Sequence, residues 1–185
     1  WFGGSETADA VADVIFGDYN PGGKLPVTFY ESTKDLPDFL DYSMENRTYR
    51  YFRGVPQYAF GYGLSYTTFE VGKGKISKKS MKADGSVKIT VPVENTGDRE
   101  GTETIQVYVK ALDYAEAPIK SLKGFQKINL KAGEKGKVEI VLDGESFQYY
   151  DPSIDELSTR TGRYQILYGT SSLEKDLKSI DFVVK

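Results

Sequence analysis

The chain has 185 residues, a formal net charge of −3, 39% hydrophobic and 14% aromatic residues, and neither Cys nor His. Without those two residue types there is no disulfide, no thiolate or Ser–His relay and no Cys- or His-based metal centre, so any chemistry must rest on carboxylates, Tyr, Lys or Ser. Its 24 Lys and Arg are scattered among 27 Asp and Glu, which gives no basic face for nucleic acid, and no apolar run is long enough to span a membrane.

Trp1-Phe2-Gly3-Gly4 is an apolar opening placed directly before a helix, and it reads as a point inside a larger domain. Residues 5–16 are expected to form a short helix. Ser5 is placed as N-cap, Glu6 and Asp9 suit the positive end, and Gly17 is placed to stop it. Ala8, Val11, Ala12 and Ile15 recur at helical spacing and predict a core-facing stripe. Asn20-Pro21-Gly22-Gly23 is a turn signal, and residues 25–30 predict a strand that Pro26 keeps at an edge or a start. Residues 1–30 therefore read as the last piece of an α/β layer, too small to close a core alone.

Residues 31–66 have no long period but are dense in rings: Tyr42, Tyr49, Tyr51, Phe52, Tyr58, Phe60, Tyr62 and Tyr66. Such a segment gains little from local structure, so it is expected to lie across something larger as a packed linker, anchored by its aromatics.

From Thr67 the period becomes two. Val87, Ile89, Val91 and Val93 alternate with polar residues. So do Ile105, Val107 and Val109, then Val138, Ile140 and Leu142, then Tyr164, Ile166 and Tyr168, and finally Ile180, Phe182 and Val184. Residues 124–130 supply one more strand. Turn signals separate these runs at 83–85, 95–98, 131–134 and 161–163. About seven such strands predict a mainly β fold, an immunoglobulin or fibronectin type III-like antiparallel β-sandwich, over residues 67–185.

The carboxylates that could carry glycosidic chemistry are Glu6, Asp9, Asp13, Asp18, Asp35, Asp38, Asp41 and Glu45. Asp9 and Asp13 share a helix face, where a solvated surface is the simple explanation, and Glu6 complements the helix dipole. Asp151, Asp155 and Glu156 have spacing that hints at calcium. The glycine turn and later ligands of such a loop are missing, so an ordinary loop is expected. Gly61-Tyr62-Gly63-Leu64-Ser65-Tyr66 lacks the Lys-Ser/Thr and helix of a phosphate loop and reads as a tight turn, with Tyr62 and Tyr66 available either for packing or for stacking on a sugar.

Three motifs, in order, resemble one family. Residues 3–29 (GGSETADAVADVIFGDYNPGGKLPVTF) resemble the end of the second, α/β sandwich domain of glycoside hydrolase family 3. Residues 58–69 (YAFGYGLSYTTF) resemble that family's junction into its C-terminal domain. Val93-Glu94-Asn95-Thr96-Gly97, Leu122-Lys123-Gly124-Phe125 and Gly162-Arg163-Tyr164 look like its fibronectin type III-like domain.

The resemblance implies the C-terminal portion of a retaining, exo-acting β-glycosidase. The family's nucleophile and acid/base motifs lie in parts of the enzyme that this sequence does not contain, so no catalytic, cofactor-binding or metal residue is expected here. The implied partners are the upstream catalytic barrel and α/β sandwich domains of the same enzyme, with an oligo- or aryl-β-glycoside as the parent's substrate. Self-association through residues 1–30 is a further expectation. Periplasmic or extracellular location follows from family habit. Residues 46–56 look more like the β-xylosidase branch than the β-glucosidase branch. A carbohydrate-binding or adhesion-type sandwich module is the alternative, and it would need an exposed, flat row of aromatics.

Overall fold

A computed structural model describes residues 3–185. Helix α1 spans Thr7–Phe16. Strands follow at β1 (Phe29–Tyr30), then, after the single-turn helix α2 (Thr48–Tyr51), at β2 (Pro56–Tyr58), β3 (Phe69–Val71), β4 (Lys75–Ile76), β5 (Ser80–Met81), β6 (Ser86–Asn95) and β7 (Gly101–Ala111). The remainder are β8 (Ser121–Leu130), β9 (Lys135–Asp143), β10 (Gln148–Asp151), β11 (Glu156–Thr159), β12 (Gly162–Gly169) and β13 (Leu177–Val184).

Two sheets face each other. One has the order β5-β13-β12-β7-β8, antiparallel except for the short parallel pairing of β5 with β13. In the other, β6 pairs with β9 along one edge and with β3 and β4 along the other. The period-two runs supply the space between the sheets. Ile89, Val91, Ile105, Val107, Leu142, Ile166, Phe147 and Phe182 form one continuous buried cluster. A mainly β sandwich is thus the fold, as the alternation requires.

Asn95 locks the corner between β6 and β7. It is fully buried, and its amide donates to Arg99 O and Leu130 O while its Oδ1 accepts from Thr67 Oγ1 and Gly97 N. A buried side-chain amide is tolerated only when so satisfied.

Several local expectations need correction. The helix begins at Thr7, and Ser5 does not cap it: its hydroxyl donates to the neighbouring Glu6 carboxylate instead. Gly17 does end it, in the left-handed conformation at φ 84°. The strand read over 25–30 shrinks to Phe29–Tyr30, paired with β2, because Leu25 is already committed to the loop through Leu25 N to Tyr62 O and Gly61 N to Leu25 O. The segment 151–156, read as an ordinary loop, is the tip of a hairpin, β10–β11, whose strands pair over 148–151 and 156–159, with Asp155 at φ 57° in its turn. Trp1 and Phe2 lie outside the described residues.

Tyr49, Arg50 and Phe60 of the ring-rich segment lie against the sandwich. Tyr49 stacks on Phe60 at 4.2 Å and meets Tyr108 of β7 edge-on at 5.8 Å. Its hydroxyl accepts from Leu122 N, and Ile119 N donates to Arg50 O. Strand β7 is therefore buried on both faces: Ile105, Val107 and Val109 point into the core, while Thr104, Gln106 and Tyr108 point outward and are covered by the aromatic segment.

Candidate functional site

Residues 3–30 approach the sandwich through polar ties. Asn20 is the main one: its Oδ1 accepts from Ser65 Oγ and Tyr66 N, and its Nδ2 donates to Glu100 O. The Tyr66 hydroxyl donates to Val14 O at 2.6 Å, and the Arg99 guanidinium sits 5.6 Å over the Tyr66 ring. Lys24 reaches Glu103 at 2.7 Å in a largely buried ion pair. These contacts use the Val14 side of α1. The apolar stripe faces away: Val11 is 50% exposed, Ile15 68% and Phe16 82%.

The sequence-predicted carboxylates do not converge. Glu6, Asp9, Asp13, Asp18 and Glu45 sit on open surface. Asp35 Oδ2 accepts from Ser32 N in a capping box, Asp38 Oδ1 from Leu40 N, and Asp41 Oδ1 from Ser43 N. The same loop is braced by Arg47, which donates to Ser43 O and Asp41 O. It holds Phe39, Leu40 and Tyr42 strongly exposed at its tip.

In the β10–β11 hairpin, Asp151 accepts from Ser153 Oγ and N and pairs with Arg160 at 3.2 Å; the Ser153 hydroxyl, more than the cation, holds its carboxyl below the usual range. Asp155 instead accepts from the Tyr150 hydroxyl. Among the described residues no three acidic side chains gather as a metal site. Tyr62 packs on Tyr58 at 5.5 Å, and Tyr66 is held as above, so these two rings serve packing within the chain.

One concavity among the described residues is one that sequence reasoning missed. It is a cleft of 440 Å³ between the linker and the sandwich, bordered on the linker side by Phe52, Arg53, Val55 and Pro56 and on the sandwich side by Ile119, Lys120, Leu173 and Glu174. Three smaller clefts surround it or lie elsewhere on the sandwich. None of the four is bordered by a pair of carboxylates; Glu174 is the only acid in the largest. Lys120 is deeply buried there, and desolvation pulls its ammonium pKa below the usual lysine value, against the opposing pull of Glu174. The only advance signal was the break in alternation at Ala117-Pro118-Ile119-Lys120, which carries no chemistry by itself.

Comparison with known proteins accounts for this arrangement. Residues 1–66 match the glycosyl hydrolase family 3 C-terminal domain, and residues 103–172 match a fibronectin type III-like domain. The chain is 50% identical to a xylan 1,4-beta-xylosidase of Xylanibacter ruminicola, over 97% of this chain and 21% of that protein. It is 40% identical to a periplasmic beta-glucosidase of Salmonella typhimurium, over 93% of this chain and 24% of that protein.

Among solved structures, a beta-glucosidase from Kluyveromyces marxianus superposes with a TM-score of 0.86 at 36% identity, covering 100% of this chain and 23% of that one. The beta-D-glucoside glucohydrolase of Trichoderma reesei gives 0.85 at 27% identity, over 98% and 29%. The chain thus spans between a fifth and three tenths of the length of these relatives. It belongs to glycoside hydrolase family 3, and it corresponds to the family's C-terminal part, in which the end of the family's C-terminal domain runs into a fibronectin type III-like sandwich.

Proposed function

We propose that the chain is the non-catalytic C-terminal portion of a retaining, exo-acting β-glycosidase, acting as a structural support for the catalytic domains. The observation that carries this reading is the dispersal of the acids. A retaining glycosidase needs two carboxyl groups roughly 5–5.5 Å apart flanking its substrate, and Glu174 is the only acid that borders the 440 Å³ cleft.

The division of labour is residues 1–30 as the end of an α/β domain, 31–66 as packed linker and 67–185 as the sandwich. The uncovered stripe of α1 and the braced tip of Phe39, Leu40 and Tyr42 are the surfaces that meet the upstream barrel and α/β domain. The xylosidase relative at 50% identity favours a β-xyloside over a β-glucoside as the parent's substrate. The periplasmic relative favours an exported enzyme. No helix among the described residues is long and apolar enough to cross a membrane.

The test is an assay of the purified chain on nitrophenyl β-xyloside and β-glucoside. No turnover is expected. Hydrolysis that survives repurification and follows the protein peak would overturn the proposal.

A further inference from the structure

The cleft between linker and sandwich has features that a packing seam does not need. Lys120 is only 7% exposed, and Glu174 is the one acid that borders the same cleft. The Lys120 side chain forms a wall common to the 440 Å³ cleft and a second one of 160 Å³, and Ile119 and Glu174 border both. Among the residues that border the larger cleft, Thr28 has its Oγ1 buried without a partner. Buried polar groups are normally satisfied, so an unsatisfied hydroxyl and a largely desolvated lysine bordering one cavity suit a ligand that supplies partners.

The charge of the cleft identifies the ligand's charge. Arg53 and Lys120 are set against Glu174 alone, a surplus of one positive charge in a chain whose net charge is −3. That balance suits a monoanion. A dianion such as phosphate would be repelled by Glu174 and would find no cluster of backbone amides to hold it. The remaining walls are apolar: Phe52, Val55, Pro56 and Leu173. Phe52 is fixed by the edge-on contact of Tyr30 at 4.8 Å. A rigid ring beside hydroxyl-seeking groups matches the amphipathic surface of a pyranose, with its C–H face on the aromatic and its hydroxyls toward Thr28 and Glu174. The volume lies within the range of about 300–1,000 Å³ typical of small-molecule sites.

We propose that the cleft framed by Phe52, Arg53 and Pro56 on one side and Ile119, Lys120 and Glu174 on the other binds a sugar acid, a pyranose bearing one carboxylate. The Lys120 ammonium and the Arg53 guanidinium take the carboxylate, while Phe52 carries the ring. This site is separate from any glycosidic bond cleavage and does not depend on the reading given above.

D-glucuronate is the probe. Titrated into the isotope-labelled 185-residue chain, it is expected to give saturable amide shifts at Gly54, Ile119 and Lys120, with D-glucose and acetate each at least tenfold weaker. Lys120→Met should abolish the shifts while melting at or above the parent temperature, because it removes the desolvation cost of a largely buried charge. If that variant fails to fold, Arg53→Gln, at an exposed position, should weaken glucuronate binding several-fold without loss of stability. The proposal is overturned by the absence of saturable shifts, by equal affinity for glucose or acetate, by tighter binding of inorganic phosphate, or by binding that survives both substitutions.

Discussion

The Tyr108 hydroxyl donates to Gln106 Oε1 at 2.5 Å, two residues back on the same outward face of β7. Gln106 then spends its amide hydrogens on Gly61 O at 3.0 Å and Thr170 O at 2.7 Å. One glutamine thereby fastens the linker to the sandwich. Gly61 sits at φ 79°, and a Cβ there would lie 2.0 Å from Gln106 Oε1. Gln106→Leu strands Gly61 O and the Tyr108 hydroxyl in a buried site, and it should cost about 2–3 kcal/mol. Gly61→Ala should also destabilise, since it adds both strain and a clash. Urea unfolding of each variant checks this; a loss under about 0.5 kcal/mol for Gln106→Leu would mean that water satisfies those groups.

Lys24 and Glu103 tie the N-terminal segment to the same strand. The pair is mostly buried, and Glu103 also accepts from Thr104 N at 2.6 Å. Lys24→Met leaves that carboxylate without its cation and should cost about 2–4 kcal/mol. Adding Glu103→Leu should return part of the loss, and a double-mutant cycle measures how much. Simple additivity of the two changes would show that the pair contributes nothing as a pair.

Residues 67–185 alone should still unfold cooperatively, because the buried cluster between the sheets is drawn mainly from β6, β7, β9, β12 and β13. The truncated chain should be less stable than the whole, since Gln106 and Tyr108 lose their cover. Within it Ile105→Ala should cost about 2–4 kcal/mol. A non-cooperative thermal melt would place the linker in the core.

The dependence of stability on alkaline pH has two opposing parts. Burial lowers the pKa of Lys120 and Lys123, so the folded state releases those protons before the unfolded chain does, and stability rises as pH climbs toward about 10.4. Burial raises Tyr108 and Tyr164 well above the ordinary phenol value and Tyr149 to about 12. Their stabilising contribution is complete below about pH 10, the unfolded value, and is lost as pH rises through the folded ones. Denaturant midpoints should therefore pass through a maximum near about pH 10 and then fall. Tyr149→Phe should shallow the fall, and a monotonic decline from neutral pH would contradict the assignment of the lysines.

The stripe of Val11, Ile15 and Phe16 should make the isolated chain associate, since an uncovered apolar face is unfavourable by roughly 25 cal/mol per Å2. Light scattering before and after deletion of residues 1–30 tests this. A chain that is strictly monomeric in both forms would show that the face is tolerated in water.

The alternation that begins near residue 67 was sufficient for the sandwich, because a half-buried strand must repeat its apolar side every second residue. Helix α1 and its end at Gly17 were legible for the same kind of local reason, as were the family motifs. The hairpin at Gln148–Asp151 and Glu156–Thr159 was not, since strands this short carry too few alternations to stand out from a loop. Asp9 and Asp13 were legible as a solvated helix face, whereas the cleft around Lys120 was not.

What the sequence determined by itself is therefore periodic or local: the sandwich, the inner faces of its strands, the helix and its stop. What only the tertiary structure decided is long-range: that the polar-looking outer face of β7 is a second buried surface, that β12 lies between β7 and β13, and that Lys120 ends beside Glu174 with Phe52 and Arg53 opposite. Period fixes which side of a strand is apolar, but burial of a polar side depends on which distant segment comes to cover it, and in this chain Gln106 meets Gly61 from 45 residues away.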